Sequence, residues 1–118
     1  MPRSAPELAD RPVDTVLVAL SDPVRRSVVE RLGAGPQRAG ELAAATGTTA
    51  PTMSRHLRVL LEAGIVTDER PPDDARVRLF HLRPESMVAL QAWLDQLQAE
   101  WDGRLAAFKR HVDRRTKL

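Results

Sequence analysis

The side chains best suited to bind a ligand lie in one stretch, TAPTMSRHLR, which runs from Thr49 to Arg58. Apolar residues recur in it and just beyond it every three or four positions, which predicts a helix with one buried face. Thr52, Ser54, Arg55 and Arg58, which carry small hydroxyls and guanidinium groups, lie beside or opposite that face. Such donors read base edges and bind phosphates in the major groove of DNA. Many charged helix faces are merely solvated, so periodicity alone leaves both interpretations open.

The polar residues of this stretch differ in what each could contact on a DNA duplex. The N-terminus of the helix near Thr49 directs free N–H groups and a positive dipole end toward a phosphate. Thr52, Ser54 and Arg55 are placed to reach base edges, and Arg55 is the best candidate for a guanine. His56 flanks the buried face, where it could either hydrogen-bond a phosphate or simply pack.

Four arginines suit the phosphate backbone, whose contacts hold a protein in register but carry no sequence information. One belongs to the same helix and three belong to the segment that follows it: Arg58, Arg70, Arg76 and Arg78. Asp73 and Asp74 lie at the predicted tip of a hairpin in that segment, where carboxylates would repel phosphates. Either the tip stands off the duplex, or only Arg76 and Arg78 at its base make contact.

A helix–turn–helix would hold these side chains in place. Residues 41–45, ELAAA, predict a first short helix, and Gly47 follows where a left-handed residue can end it. Thr48 or Thr49 can then cap the second helix. Pro51 falls in its first turn, where the missing N–H costs nothing.

The rest of the chain supplies the elements around this pair of helices. Apolar spacing predicts two helices before it, at 12–20 and 23–32, and one long helix after it, at 86–112. Turn residues and alternation predict a β-hairpin with strands near 65–70 and 76–82, and its prolines argue against a central sheet strand. We therefore expect a mainly helical fold with a small β-hairpin wing, in the order α-α-α-α-β-β-α. This layout is a winged helix–turn–helix.

Length and composition restrict the class of protein. The 118 residues suffice for one domain, which we place at 12–113, with a flexible arm at 1–11 and a frayed tail at 114–118. The net charge is +2, so a nucleic-acid footprint must come from how the arginines are distributed. Cysteine is absent, and neither a secretory signal nor an apolar run of the ~20 residues that span a bilayer is present. These features fit a cytoplasmic protein. The sequence has no glycine-rich phosphate loop, cysteine–histidine pair or convergent carboxylates, so we expect no enzyme activity.

Two motifs carry a resemblance to a known family. The segment LSDPVRRSVVERL is followed by ELAAATGTTAPTMSRHLRVLLEAGIV. Together they closely resemble the ArsR family of bacterial transcriptional regulators, over about residues 13–110. In that family Leu-x-Asp-Pro-x-Arg opens the second helix, and Ser-x-His-Leu-x-x-Leu-x-x-Ala-Gly-(Leu/Ile)-Val marks the recognition helix and the entry to the wing. The matching residues here are Leu20, Asp22, Pro23, Arg25, Ser54, His56, Leu57, Leu60, Ala63, Gly64, Ile65 and Val66.

The resemblance implies a homodimer in which the first and last helices pair across a two-fold axis. Helix–turn–helix dimers read two half-sites, so the operator in double-stranded DNA is expected to be an inverted repeat. The apolar stripe of the last helix is also longer than a small winged domain can cover, and surplus apolar surface usually means a partner. Part of the stripe, Trp93 above all, could instead cover the chain's own core. The expected dimer contacts are Val13, Leu17, Leu94, Leu97, Trp101, Leu105 and Phe108.

We expect no regulatory metal. Many members of the resembled family bind metal through Glu-Leu-Cys-x-Cys on the first helix of the helix–turn–helix, where this chain has Ala43 and Ala45 in place of both cysteines. The family's other site uses aspartate and histidine pairs on the last helix. There His111 has no histidine partner, and Asp113 is not one helical turn away from it. No cofactor is expected, and the sequence does not identify an inducer.

The function that these observations favour is a dimeric, sequence-specific repressor of its own or a neighbouring operon. One alternative is a winged-helix module that binds a protein partner through the same surfaces, for which Asp73 and Asp74 are the best support. Another is a repressor that responds to an unknown small ligand.

Overall fold

The computed structural model describes residues 12–116, and the predicted arm at 1–11 lies outside the described residues. The described chain forms helices and three short strands, in the order α1 (Pro12–Ala19), α2 (Pro23–Leu32), β1 (Gln37–Arg38), α3 (Ala39–Thr46), α4 (Ala50–Glu62), β2 (Val66–Glu69), β3 (Leu79–Leu82) and α5 (Pro84–Thr116). The predicted mainly helical fold with a hairpin wing is confirmed. The structure also contains a third strand, β1, which the sequence did not predict.

The sheet has the order β1-β3-β2, and both pairings are antiparallel. Gln37 pairs with Phe80 and Arg38 pairs with Leu79, so β3 is the central strand. The expectation that the hairpin contributes no central strand was therefore wrong. The prolines that prompted it, at 71 and 72, lie in the loop between the strands and not in either of them. A strand of two residues shows no alternation, so β1 had no recognisable sequence signal.

The hairpin strands are shorter than predicted because the loop between them is folded on itself. The Asp74 N–H donates to the Pro71 carbonyl at 3.2 Å, and the Val77 N–H donates to the Asp74 carbonyl at 3.2 Å. Arg70 also donates through Nη1 to the Ala75 carbonyl at 2.9 Å. These turns occupy residues that would otherwise extend β2 and β3. We call β2, β3 and the loop at 70–78 the wing.

The core is built around the inner face of α4. Met53, Leu57 and Leu60 recur at steps of four and three residues, and each is at most 2% exposed. They pack in one cluster with residues of α2, α3 and the sheet, including Phe80. Burying each such side chain contributes about 1.5–3 kcal/mol, which fixes the face that α4 turns inward. Its polar residues are thereby directed outward.

The helix ends match their sequence signals. Asp22 caps α2, and its Oδ1 accepts hydrogen bonds from Val24 N at 2.7 Å and Arg25 N at 3.1 Å. Desolvation raises the pKa of the Asp22 carboxyl, but these two hydrogen bonds and the nearby positive charge, including that of Arg25, outweigh it, so the pKa lies below its ordinary value.

The last helix is longer than predicted. It contains 33 residues, and a helix of that length extends for about 50 Å. Residues 114–116, predicted to belong to a frayed tail, continue the helix, and residues 117–118 lie outside the described range. Thr116 Oγ1 donates to the carbonyls of Val112 at 3.2 Å and Asp113 at 3.1 Å, which satisfies acceptors in the final turn. In the part of the chain that the structure describes, no helix is both long and apolar enough to cross a membrane.

Candidate nucleic-acid interface

The N-terminus of α4 is capped as predicted, by the second of the two candidate threonines. Thr49 has extended backbone angles of −80° and 160°, and its Oγ1 accepts a hydrogen bond from Thr52 N at 3.3 Å. Thr48 instead hydrogen-bonds the preceding helix, through its N–H to the Ala43 carbonyl at 3.0 Å. The exposed cap leaves the first turn of a 13-residue helix facing solvent, where its dipole favours an anion.

A chain of hydrogen bonds orients the predicted base-reading arginine. Thr49 Oγ1 donates to Thr52 Oγ1 at 3.0 Å, and Arg55 Nη2 donates to the same Thr52 oxygen at 3.3 Å. Arg55 is exposed, so the rest of its guanidinium can bind a base. Holding a flexible side chain before binding reduces the entropy lost when it contacts a base edge.

Ser54, Arg58 and Arg78 are brought together at the junction of α4 and the wing. They line a hollow of about 340 Å³ whose floor is apolar, and its remaining lining residues are Ala39, Leu57, Leu61 and Phe80. Two guanidinium groups and a hydroxyl thus meet at one opening with no acidic residue in the lining. Among the described residues no acidic side chain pairs with Arg58. The opening is suited to an anion such as a backbone phosphate.

The arginines of the wing are held by the wing itself. Arg78 donates through Nε to Asp68 Oδ2 at 2.6 Å, and its guanidinium lies 4.7 Å from the centre of the Phe80 ring. Arg76 is far more exposed and lies 3.3 Å from Asp74. Surface pairs of this kind contribute about 0–1 kcal/mol, so a phosphate could replace the carboxylate. Asp74 offsets a charge within its own loop, which reduces the repulsion expected of a lone carboxylate.

His56 is half-buried and faces α2. Its Nδ1 lies 3.2 Å from Arg25 Nη1, a contact between residues 31 positions apart in the chain. The sequence identifies Arg25 as part of a family motif and His56 also as a candidate phosphate contact, but it gives no signal that the two residues touch. His56 is therefore hydrogen-bonded to α2 through Nδ1, a contact that neither interpretation of the sequence included.

The predicted dimer residues fall into two groups. Trp93 is half-buried, whereas every described side chain of α5 beyond it is exposed. The exposed fractions are 37% for Leu17, 43% for Leu94, 47% for Leu97, 55% for Trp101, 48% for Leu105 and 66% for Phe108. Val13 differs, because it is only 5% exposed in the single chain. Val13 lies on the inner side of α1, so it has little surface left for a partner, and the structure does not support it as a direct contact.

The two α3 positions where the family's metal sensors have cysteine carry alanine, which cannot bind a metal ion. Ala43 is buried in the core and Ala45 is exposed on α3. Within residues 12–116, no three histidine, aspartate or glutamate side chains are grouped so as to hold a metal ion.

The sequence of this chain is similar to those of known helix–turn–helix proteins. A family model described as a helix-turn-helix domain matches residues 20–69. The HTH-type transcriptional regulator Rv2034 of Mycobacterium tuberculosis is 38% identical over 103 residues, which are 87% of this chain and 91% of that protein.

Two solved structures share the fold. The crystal structure of the ArsR family transcriptional regulator RHA00566 is 31% identical with a TM-score of 0.67, and the match covers 77% of this chain and 91% of that one. The homodimeric winged helix-turn-helix DNA-binding domain of Mb0332 from Mycobacterium bovis is 26% identical with a TM-score of 0.61, and the match covers 85% and 88% of the two chains. The exposed hydroxyls and arginines of α4 are the side chains expected of a DNA-binding regulator of transcription, which is how these relatives are named. The chain belongs to the ArsR family of winged helix–turn–helix proteins and is a DNA-binding regulator of transcription.

Proposed function

We propose that the chain is a homodimeric repressor that reads an inverted-repeat operator by placing α4 of each protomer in the major groove. The observation that carries the proposal is the exposed chain of Thr49, Thr52 and Arg55 on the outer side of α4. These hydrogen bonds hold the Arg55 guanidinium in one orientation in the N-terminal half of α4, the part of the helix that would enter the groove. Arg55 would bind a guanine through two hydrogen bonds, while Thr52 and Ser54 would contact neighbouring bases.

Phosphate contacts would come from the helix N-terminus and from the arginines around the hollow at the junction of α4 and the wing. Arg58, Arg76 and Arg78 would supply three cations from each protomer, and His56 a further hydrogen bond. Six neutralised phosphates in the dimer correspond to a slope of about −5 for the logarithm of affinity against the logarithm of salt concentration. The wing tip at Asp73 would stand off the duplex.

The dimer interface would be formed by the exposed apolar stripe of α5 together with Leu17 of α1. Support comes from the exposure of Trp101, Leu105 and Phe108 in the single chain and from the homodimeric solved relative. A two-fold axis through this interface would place the two copies of α4 about one helical turn of DNA apart, or 34–36 Å. Such a spacing matches an inverted repeat.

Repression would follow from occupancy, because a dimer across two half-sites covers promoter DNA that RNA polymerase needs. The operon would be its own or a neighbouring one, in the cytoplasm, and the response would not require a metal ion or a cofactor. A protein-interaction module is less well supported, because Asp74, one of the two carboxylates that favour it, is paired with Arg76 inside the wing loop.

The test is a salt titration of binding to the protein's own promoter, with Arg55→Ala compared against Arg110→Ala. Arg110 is an exposed arginine near the far end of α5, so the second variant removes the same charge away from the proposed interface. We expect steep salt dependence for the wild type, loss of operator preference in the first variant and little change in the second. Equal binding by both variants would remove Arg55 from base reading, and failure to retard any promoter fragment at low salt would reject DNA repression.

A further inference from the structure

One arginine that belongs to neither the base-reading nor the phosphate-binding group joins three helices. Arg25, in the first turn of α2, donates through Nε to the Ala19 carbonyl at 2.6 Å. Its Nη2 lies 3.5 Å from the Val18 carbonyl, and its Nη1 lies 3.2 Å from His56 Nδ1. The guanidinium therefore links the end of α1 and its own helix to α4.

The chemistry of the two side chains decides the protonation of His56 in this contact. A guanidinium has five N–H donors and no acceptor, so Arg25 can only donate to the imidazole. His56 Nδ1 must then be the acceptor and carry no hydrogen. The neutral ring places its hydrogen on Nε2, at the opposite end from Arg25.

Arg25 is itself held in position from two directions. Its backbone N–H donates to the capping carboxylate of Asp22 at 3.1 Å, which fixes the first turn of α2. Its side chain also satisfies the Ala19 carbonyl at the end of α1, where carbonyls lack partners within the helix. A half-buried side chain with this many bonds has little freedom to turn, so it can fix the orientation of the ring that it contacts.

His56 lies next to the base-reading residues. It follows Thr52 by four positions, so the two side chains are neighbours on one side of α4. A ring held at Nδ1 from the inner side can offer Nε2–H toward a ligand on the outer side. The ligand expected along the edge of a recognition helix is a phosphate oxygen.

We propose that Arg25 is a positioning residue of the DNA interface, which fixes His56 in the Nε2–H form so that this hydrogen is donated to a phosphate of the operator. Arg25 does not touch the DNA in this arrangement; it acts through His56. This inference rests on the proposed operator binding. It adds a residue from α2 to the machinery that α4 and the wing supply.

Arg26 provides a matched control from the adjacent position. It also donates to a carbonyl just after the end of α1, from Nη1 to Leu20 O at 2.9 Å, but among the described residues no hydrogen bond or ion pair joins it to α4. Arg26→Ala therefore removes one charge and one link between α1 and α2 while leaving His56 untouched. Any effect specific to the contact with His56 is the difference between Arg25→Ala and Arg26→Ala.

The experiment measures operator affinity for the wild type, Arg25→Ala, Arg26→Ala, His56→Ala and the double variant Arg25→Ala/His56→Ala, each at several salt concentrations. We expect Arg25→Ala to weaken operator binding by about a hundredfold, because each of the two protomers loses one hydrogen bond to a charged phosphate, worth about tenfold. Arg26→Ala should stay within about twofold of the wild type, as surface substitutions do. The double variant should bind no more weakly than His56→Ala alone, because the two residues act as one unit.

The salt dependence separates positioning from direct contact. A neutral His56 releases no counterion, so Arg25→Ala should have the same salt slope as Arg26→Ala. A slope shallower by about 0.9 for each protomer would mean that Arg25 itself neutralises a phosphate, which would overturn the proposal. Additive losses in the double variant, or equal affinity of Arg25→Ala and Arg26→Ala, would overturn it as well.

Two further measurements keep the test independent of folding and of DNA. Thermal unfolding of each variant identifies any that fails to fold. In that case Arg25→Lys serves instead, since a compact ammonium keeps the charge but cannot reach Ala19 and His56 together. It should weaken binding like Arg25→Ala, and wild-type affinity would overturn the proposal.

Nitrogen-15 NMR of His56 in the free protein at mildly alkaline pH should show hydrogen on Nε2 and none on Nδ1. The reverse would overturn the proposal. If the wild type binds no operator at all, the proposed function fails; if it binds and only these contrasts are absent, this inference alone fails.

Discussion

Replacing Trp101 with glutamate should separate the dimer. Trp101 is 55% exposed in the single chain, and a tryptophan can bury up to about 250 Å², so roughly 140 Å² is available to a partner. At about 25 cal/mol per Å², burying that area is worth about 3.5 kcal/mol for each side chain. Two-fold symmetry counts the residue twice, which gives an upper limit of about 7 kcal/mol.

Incomplete burial at an interface lowers this upper limit, and we take half of it, about 3.5 kcal/mol, as the expected loss. A loss of that size raises the dissociation constant of the dimer more than about a hundredfold. The new carboxylates would also lie near each other and near apolar residues, which adds to the loss. Operator affinity should fall with it, because one protomer reads one half-site.

Sedimentation equilibrium over a range of protein concentrations measures the effect, and Val88→Glu is the matched control. Val88 is 67% exposed on the same helix, but it lies off the stripe formed by Leu94, Leu97 and Trp101. We expect Trp101→Glu to sediment as a monomer where the wild type and Val88→Glu remain dimers. An unaltered profile for Trp101→Glu, or equal dissociation of the two variants, would refute the assignment of the interface to this stripe.

The remaining predictions concern single residues of α4, of the cap of α2 and of the turn that follows α4. Arg55→Ala should lower discrimination against a wrong base by about 1–3 kcal/mol while leaving the melting temperature unchanged; an unchanged footprint would exclude it from base reading. Asp22→Ala should lower the free energy of unfolding by about 0.5–2 kcal/mol at neutral pH, because it removes the cap of α2. Since folding lowers the pKa of Asp22, its charge stabilises the fold above the ordinary value of about 3.9 and loses that effect as the pH falls through the folded-state value. The difference between the wild type and Asp22→Ala in urea unfolding should therefore shrink on acidification, and a constant difference would argue against it. Gly64→Ala should cost about 1–2 kcal/mol, because Gly64 has a φ of 73° where α4 ends; a neutral effect on thermal unfolding would show that the turn adapts.

Periodicity and capping were enough to predict the helices and the reading face. The spacing of Met53, Leu57 and Leu60 identified the buried side of α4, and the structure buries all three. Gly47 has a φ of 68°, as expected of a residue that ends a helix in the left-handed conformation. These features are local, so the sequence contains the information needed to predict them.

What could not be predicted depends on contacts between distant residues. The contact between Arg25 and His56 joins positions 31 apart, and the pairing of Gln37 with Phe80 joins β1 to the wing. Neither leaves a periodic pattern. Val13 shows the same limit, because periodicity places it on an apolar face of α1 but does not show that this face is already buried within one chain.

For the wing arginines, the sequence predicts a possible ligand but not the carboxylates within the protein that compete for the same side chain. Arg78 was expected to serve a phosphate, and the structure adds a 2.6 Å hydrogen bond to Asp68. A carboxylate on the neighbouring strand is opposite it only once the register of the hairpin is known. The exposed Arg58, which no described carboxylate contacts, is therefore the more available of the two for DNA.

The central claim, that α4 reads specific DNA in a dimer, is tested most directly by selecting binding sequences from a random duplex library with the purified full-length protein. We predict enrichment of an inverted repeat with half-site centres about one helical turn apart and a guanine in each half-site that Arg55→Ala no longer selects. No enrichment after repeated rounds, or enrichment of a sequence without two-fold symmetry that Arg55→Ala selects equally well, would contradict it.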